Sequence, residues 1–155
     1  MIEIKDAALG LSGAVTPILR ALPQWFGIED ATQAYIQAVG ANPTFLAIDT
    51  ACTDLPVGFL TLLQHSVDAA EVYVMGVRPE YHRHGVGRAL ITAAERHLRA
   101  EGVTFLQVKT LSDKHPDAGY QKTRAFYLAM GFRLLEEFPD LWGPHNPCWQ
   151  LVKLV

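Results

Sequence analysis

The sequence predicts a mixed α/β fold built on one central sheet, and three observations carry that prediction. Hydrophobic periodicity switches repeatedly between a spacing near two and one near 3.6 residues. Strand-like stretches are joined in places by amphipathic helices, the connection a parallel pair needs, and elsewhere by short turns, the connection of an antiparallel pair. No repeat, low-complexity tract or linker interrupts the 155 residues, a length that suits one domain spanning 1–155.

The elements follow in order. Leu11 to Leu22 carry apolar positions at helical spacing, broken by Pro17 and stopped by Pro23. Glu29 to Val39 read as a second helix, with Gly40 expected to supply a left-handed cap. Thr44 to Asp49 and Val57 to Gln64 are short, apolar and bounded by turn residues, so strands, with DTACTDLP between them as a hairpin loop. EVYVMGV, Glu71 to Val77, is β-branched and aromatic and is closed by Arg78-Pro79, a third strand. From Val86 the period changes: Val86, Leu90, Ala94 and Leu98 recur every four residues with Arg88, Glu95, Arg96 and Arg99 opposite, an amphipathic helix that Gly102 is placed to end. Phe105 to Leu111 is a strand, Tyr120 to Met130 a helix stopped by Gly131, Phe132 to Glu137 a strand, and Cys148 to Val155 the last strand. The expected order is α-α-β-β-β-α-β-α-β-β.

Composition narrows the function classes. Half of the residues are apolar and 19% are charged, which excludes a disordered polar chain. A net charge of −3 disfavours a nucleic-acid binder, because phosphate neutralisation needs a basic surface; it leaves room for a local basic site holding one small anion. Cys52 and Cys148 show neither CxxC spacing nor a disulfide framework, and read as two reduced thiols. The first residues lack a charged region followed by an apolar one, and no run of about 18 apolar residues occurs, so a soluble, cytoplasmic chain without membrane attachment is expected.

The chemistry concentrates in VYVMGVRPEYHRHGVGRALITAAE. A strand enters a loop, Gly85-Val86-Gly87 follow, and a helix starts at once. A helix N-terminus presents amides with no intrahelical partner and a partial positive charge. Glycines let an oxyanion approach that backbone, and Arg83 and Arg88 add charged donors. A phosphate or pyrophosphate fits; a plain tight turn is the other reading. The P-loop pattern Gly-x-x-x-x-Gly-Lys-Ser/Thr is missing, and Leu90 stands where a Rossmann third glycine would be.

Here the chain resembles the GNAT superfamily of N-acetyltransferases. That family's strand ends in Val-x-Pro, present as Val77-Arg78-Pro79, and is followed by Arg/Gln-x-x-Gly-x-Gly/Ala, present as His82-Arg83-His84-Gly85-Val86-Gly87. Its second landmark, Phe-Tyr-x-x-x-Gly-Phe closing a helix, stands as Phe126-Tyr127-Leu128-Ala129-Met130-Gly131-Phe132. Two positions depart: His82 replaces the usual Arg or Gln, and Tyr120 replaces a frequent Asn. The resemblance implies a GNAT fold, one mixed sheet of about six to seven strands flanked by about four helices.

It also implies acetyl-CoA as cosubstrate, no metal, and direct acetyl transfer to a primary amine of a small molecule or peptide in a ternary complex. The pantetheine arm is expected along Met75 and Val77, and the pyrophosphate over His82, Arg83, His84, Gly85, Val86, Gly87 and Arg88, with the Val77 amide facing the oxyanion. Tyr127 holds the place of the acid that protonates the leaving thiolate; without the resemblance a Tyr beside Phe on a helix reads as core. Glu71, at the start of the same strand as Val77, is the candidate base, with burial raising its basicity; a solvated strand end is the alternative. Trp25 and Phe26, between the first two helices, and His115, in LSDKHPDAGY, are candidate acceptor contacts. Plain readings stand beside them: a hydrophobic plug for the aromatics and a surface-loop histidine for His115. His82 and His84 lack a third ligand and are not read as a metal pair. Trp142 and His145 in LWGPHNPCW reach the site from a terminal loop or across a homodimer interface, the assembly the resemblance leaves open. A non-catalytic acyl-CoA-binding or regulatory module of the same fold is the alternative function.

Overall fold

The computed structural model describes residues 1–52 and 55–155. Its elements are β1 (Ile2–Ala8), α1 (Ser12–Arg20), α2 (Glu29–Ala41), β2 (Thr44–Asp49), β3 (Pro56–Gln64), β4 (Ala69–Val77), α3 (Val86–Ala100), β5 (Phe105–Leu111), α4 (Ala118–Ala129), β6 (Arg133–Phe138) and β7 (Cys148–Leu154), with a single 3-10 turn at Pro79–Tyr81. The seven strands form one mixed sheet in the order β1-β2-β3-β4-β5-β7-β6. Thr53 and Asp54, within the expected hairpin loop, lie outside the described residues.

Two expectations need correction. The chain opens with a strand, β1, which pairs antiparallel with β2 from Ile2 opposite Asp49 to Ala8 opposite Thr44. The Ile-Glu-Ile-Lys alternation of a half-buried edge strand was in the sequence. Gly40 is not a left-handed cap: it lies inside α2, which ends against Asn42. Its missing side chain serves packing instead, since a Cβ there would sit 2.7 Å from Ser12 Oγ. Ser12 donates across the same close contact to the Ile36 carbonyl at 2.7 Å.

The chain divides into two compact units, residues 1–63 with 73–97, and 64–72 with 98–155. In the first, the apolar stripe of α1 (Val15, Ile18, Leu19) and Leu22 packs with Val39 of α2 on Leu46, Ile48, Phe59 and Val74 of the sheet. Each such side chain contributes on the order of 1.5–3 kcal/mol by leaving water. Pro17 is the sixth residue of α1 and donates no amide to the turn before it, and Ala21 closes the helix with its amide on Pro17 and Ile18. Gly76 in β4 admits α1 closely: a Cβ there would meet Leu22 Cδ1 at 2.9 Å and Phe59 Cε1 at 3.1 Å.

In the second unit β4 begins parallel to β5, Ala69 opposite Phe105 through Val72 opposite Val108. The last strand inserts between β5 and β6, antiparallel to both. Helix α4 starts where Asp117 accepts hydrogen bonds from the amides of Gly119 at 2.7 Å and Tyr120 at 3.4 Å, a side-chain N-cap that sets the first helical residue two ahead of the expected start. It ends at Gly131, whose φ of +95° suits glycine alone. Directly opposed residues of an antiparallel pair share a face, so Thr110 and Trp149 project together, as do Leu106 and Lys153. Helix α4 covers that face, because the Arg124 guanidinium lies 5.9 Å over the Trp149 ring.

Candidate active site

In the first unit the candidate anion-binding loop is built by backbone conformation. Arg83 has φ +64° and Gly85 φ +78°. Left-handed residues alternating with right-handed ones are what an anion-binding nest is made of, and these two stand one residue apart just ahead of α3. The helical ladder opens with Ala89 N–H donating to Gly85 O at 3.0 Å, which leaves the amides ahead of it pointing out of α3. A Cβ on Gly85 would meet nothing within 4 Å, so the space beside that backbone is open. His82, Arg83, His84 and Arg88 are exposed around it, whereas the Val86 side chain is buried and offers only its amide. A pyrophosphate fits a site of this make-up: outward amides, a helix N-terminus and two guanidinium groups.

Structure below the loop fixes its position. Gly58 of β3 lets α3 approach, since a Cβ would lie 3.1 Å from Val86 Cγ1. Tyr81 donates to Asp49 Oδ2 at 2.7 Å, and Asp49 Oδ1 accepts the Ala51 amide at 3.0 Å. These bonds hold the Asp49 carboxyl well below the usual carboxylate range, and the same carboxylate pushes the Tyr81 phenol up to about 12. His82 is turned away from the loop: its Nε2 donates to the Val77 carbonyl at 2.7 Å, and its ring meets Trp25 edge-on at 6.0 Å. The residue that departs from the family pattern thus ties the end of β4 to the α1–α2 connection.

Trp25 and Phe26 are half-buried and packed on the α1 core, Phe26 edge-on to Tyr35 at 5.6 Å and Tyr35 edge-on to Tyr73 at 5.7 Å. This packing has the form of the hydrophobic plug, and each ring keeps part of its surface open. Met75 and Val77 are partly open, while Gly76 between them is buried.

The second unit holds a different chemistry. Glu71 is the third residue of β4 and only 5% exposed, so it is no solvated strand end. Nor is it in apolar surroundings: Lys109 Nζ donates to its carboxylate at 3.2 Å, and His65 Nε2 lies 2.6 Å from Oε1. His65, exposed at its edge, and Lys109 were not singled out in the sequence. The signal was present, because Gln107 and Lys109 alternate with the apolar Leu106 and Val108.

Tyr127 is buried between the rings of Phe126 at 5.3 Å and Phe132 at 5.5 Å. Burial drives its phenol well above the ordinary tyrosine range, with a smaller push from Tyr120. Burial likewise raises the Cys148 thiol to about 11; Glu71 adds to that and Lys109 opposes it. His115 stands in the turn before α4, its Nδ1 accepting the Asp117 amide at 3.2 Å and its ring 6.3 Å from Tyr120. Trp142 and His145 are exposed in the β6–β7 connection. No group of three or more metal-ligating side chains occurs among the described residues, and no helix among them is long and apolar enough to cross a membrane.

Comparison with known proteins gives these parts a context. Residues 17–132 match the profile of the Acetyltransferase (GNAT) family. Over 58 residues the chain is 41% identical to mycothiol acetyltransferase from Gordonia bronchialis, a stretch covering 37% of this chain and 19% of that protein. The matched stretch of the chain therefore spans about a fifth of the length of that curated relative. The fold is similar to the ribosomal-protein-S18-alanine N-acetyltransferase of Escherichia coli, with a TM-score of 0.78, 18% identity and 100% and 94% of the two chains covered. It is also similar to an aminoglycoside 6'-N-acetyltransferase solved with coenzyme A, with a TM-score of 0.74, 17% identity and 98% and 96% covered.

Proposed function

The chain belongs to the Acetyltransferase (GNAT) family, and from that premise we propose that it transfers the acetyl group of acetyl-CoA directly to a primary amine. The observation that carries the reading is the loop ahead of α3, where left-handed Arg83 and Gly85 lead into the helix N-terminus and Arg83 and Arg88 are exposed beside it. That combination suits the pyrophosphate of an anionic cosubstrate on an otherwise acidic chain. The coenzyme A bound by the aminoglycoside-modifying neighbour supports the same assignment.

Acetyl transfer needs a deprotonated amine, donors for the oxyanion and hydrogen bonding for the leaving thiolate. Glu71, hydrogen-bonded to His65, is assigned to the proton leaving the amine, with His65 as its link to solvent. Tyr127 is assigned to the thiolate. A phenol raised so far is a reluctant acid toward an ordinary thiol of pKa about 8.5. Burial raises a thiol too, as the Cys148 value of about 11 illustrates, and this narrows the mismatch. Tyr127 therefore works chiefly by donating a hydrogen bond as charge gathers on sulfur, the proton passing late. Met75, Val77 and the 82–88 segment are assigned to the cosubstrate, and Trp25, Phe26 and His115 to the acceptor. No covalent acetyl-enzyme is invoked, since neither Cys52 nor Cys148 falls on a position of the family motifs and Cys148 is buried with a raised thiol.

A panel of amines (amino sugars, polyamines, amino acids, and peptides with free N-termini or lysines) assayed for thiol release from acetyl-CoA tests the reading. Amine-dependent release with an N-acetylated product is expected. Tight acetyl-CoA binding without release for any class would replace catalysis with a binding role.

A further inference from the structure

The two faces of β5 differ. Successive residues of a strand point to opposite faces; Leu106, Val108 and Thr110 are buried, whereas Gln107 and Lys109 between them are half-buried. Glu71 stands opposite Gln107 in the parallel ladder with β4, and Gln150, also half-buried, stands opposite Lys109 in the antiparallel ladder with β7. These four polar side chains are linked in pairs on the more open face. Lys109 Nζ donates to the two Glu71 oxygens at 3.2 and 3.4 Å, and the Gln150 amide donates to Gln107 Oε1. Donors remain to be spent. With one hydrogen of the Lys109 ammonium aimed at each Glu71 oxygen, the third is left for another acceptor. Gln107 meets Gln150 through its oxygen, which leaves its NH2 group as a donor. The Lys109 side chain keeps 25% of its surface open against 6% for Glu71, so solvent reaches the pair from the ammonium side.

We propose that the acceptor is an α-amino acid with a free carboxylate, its amine at Glu71 and its carboxylate on Lys109 Nζ and the Gln107 amide. The proposal rests on the acyl-transfer reading above, in which Glu71 takes the proton leaving the amine. Charge is what selects this class. Lys109 already balances Glu71, so an incoming amine meets an ion pair and not a bare carboxylate. A polyamine or an amino sugar sets a further cation beside the Lys109 ammonium, a like-charge contact in a half-buried place. An α-amino acid brings its two charges in the complementary order, ammonium toward Glu71 and carboxylate toward Lys109. One carbon joins its amine to its carboxylate carbon, so the two charges are neighbours, as those of Glu71 and Lys109 are. Lys109 is then a specificity residue, holding the group next to the reacting nitrogen through a charge-assisted hydrogen bond.

The experiment measures kcat/KM for free amino acids beside their carboxamides and their decarboxylated amines, at saturating acetyl-CoA, in the unaltered protein, Lys109→Met and Lys109→Arg. The preference is a ratio taken within each protein, so a lowered folded fraction cancels from it. The unaltered protein is expected to prefer the free acid over the carboxamide by about ten- to a hundredfold, the worth of a hydrogen bond between charged groups. Lys109→Met is expected to bring that ratio to within about twofold, and Lys109→Arg, which keeps the charge and the donors, to retain most of it. Carboxamides or decarboxylated amines used as well as the free acids by the unaltered protein overturn the proposal. So does turnover confined to polyamines, amino sugars or peptides, and so does a ratio unmoved in Lys109→Met. Binding of acetyl-CoA with thiol release for no class of amine overturns the acyl-transfer reading itself, a result distinct from all of these.

Discussion

Tyr81 donates a 2.7 Å hydrogen bond to Asp49, joining the turn that leads into the anion loop to the end of β2. The bond favours the charged carboxylate and the neutral phenol, so its contribution has two edges in pH. The Asp49 carboxyl is depressed in the folded chain. Its contribution is present above the ordinary value of about 4 and is lost as pH falls below that. The Tyr81 phenol is raised to about 12; its contribution is full below the ordinary value of about 10 and is lost as pH rises through 12. Thermal melts of wild type and Tyr81→Phe across pH 8–12 check this. The stability difference is expected to be constant to about pH 10 and to shrink above it.

Tyr127→Phe is expected to lower turnover by on the order of 10²-fold while leaving acetyl-CoA affinity and thermal stability nearly unchanged, since the ring contacts with Phe126 and Phe132 are kept by a phenyl group. Because burial keeps the phenol protonated, the wild-type rate should show no loss from Tyr127 ionisation up to pH 10. Steady-state rates beside calorimetry separate these quantities. Undiminished turnover in the variant would remove Tyr127 from the chemistry.

Glu71→Gln is expected to reduce kcat/KM about 10²-fold, and His65→Gln by a smaller factor with a shifted pH profile. Lys109→Met leaves the Glu71 carboxylate buried beside one partner fewer, and should cost about 1–3 kcal/mol of stability, read from denaturant midpoints. If Glu71→Gln keeps full activity, the amine loses its proton through water alone.

Gly85→Ala has open space around the new methyl, so its cost is the left-handed backbone, about 1 kcal/mol. Relaxation of the loop should weaken acetyl-CoA binding by about tenfold. Gly76→Ala is the contrasting case, since the methyl meets Leu22 and Phe59; it should lower the melting temperature more than it affects binding.

The elements legible in the sequence were those with strong period and clear stops. Thr44–Asp49 and Phe105–Leu111 stand where alternation and turn residues put them, and α3 begins at Val86 as its four-residue repeat indicated. β1 escaped because an edge strand keeps charged residues on its open face and so looks like a polar terminus. Gly40 was misread because local preference says cap, whereas a neighbouring helix, invisible in one dimension, demanded a residue without a side chain. The same limit applies to chemistry. The glycine loop shows by its spacing and Tyr127 only through the family resemblance, whereas Lys109 and His65 gain a role through the Glu71 carboxylate, which the fold brings to them.

The central claim is that the segment from His82 to Arg88 holds the anionic end of acetyl-CoA. Calorimetric titration of the unaltered chain with acetyl-CoA, repeated with Arg83→Ala/Arg88→Ala, tests it most directly. One-to-one binding that weakens in the double variant by about tenfold or more, and that weakens for the wild type as salt rises, is the predicted result. Absence of heat at millimolar ligand, or binding indifferent to both arginines and to salt, would contradict the account.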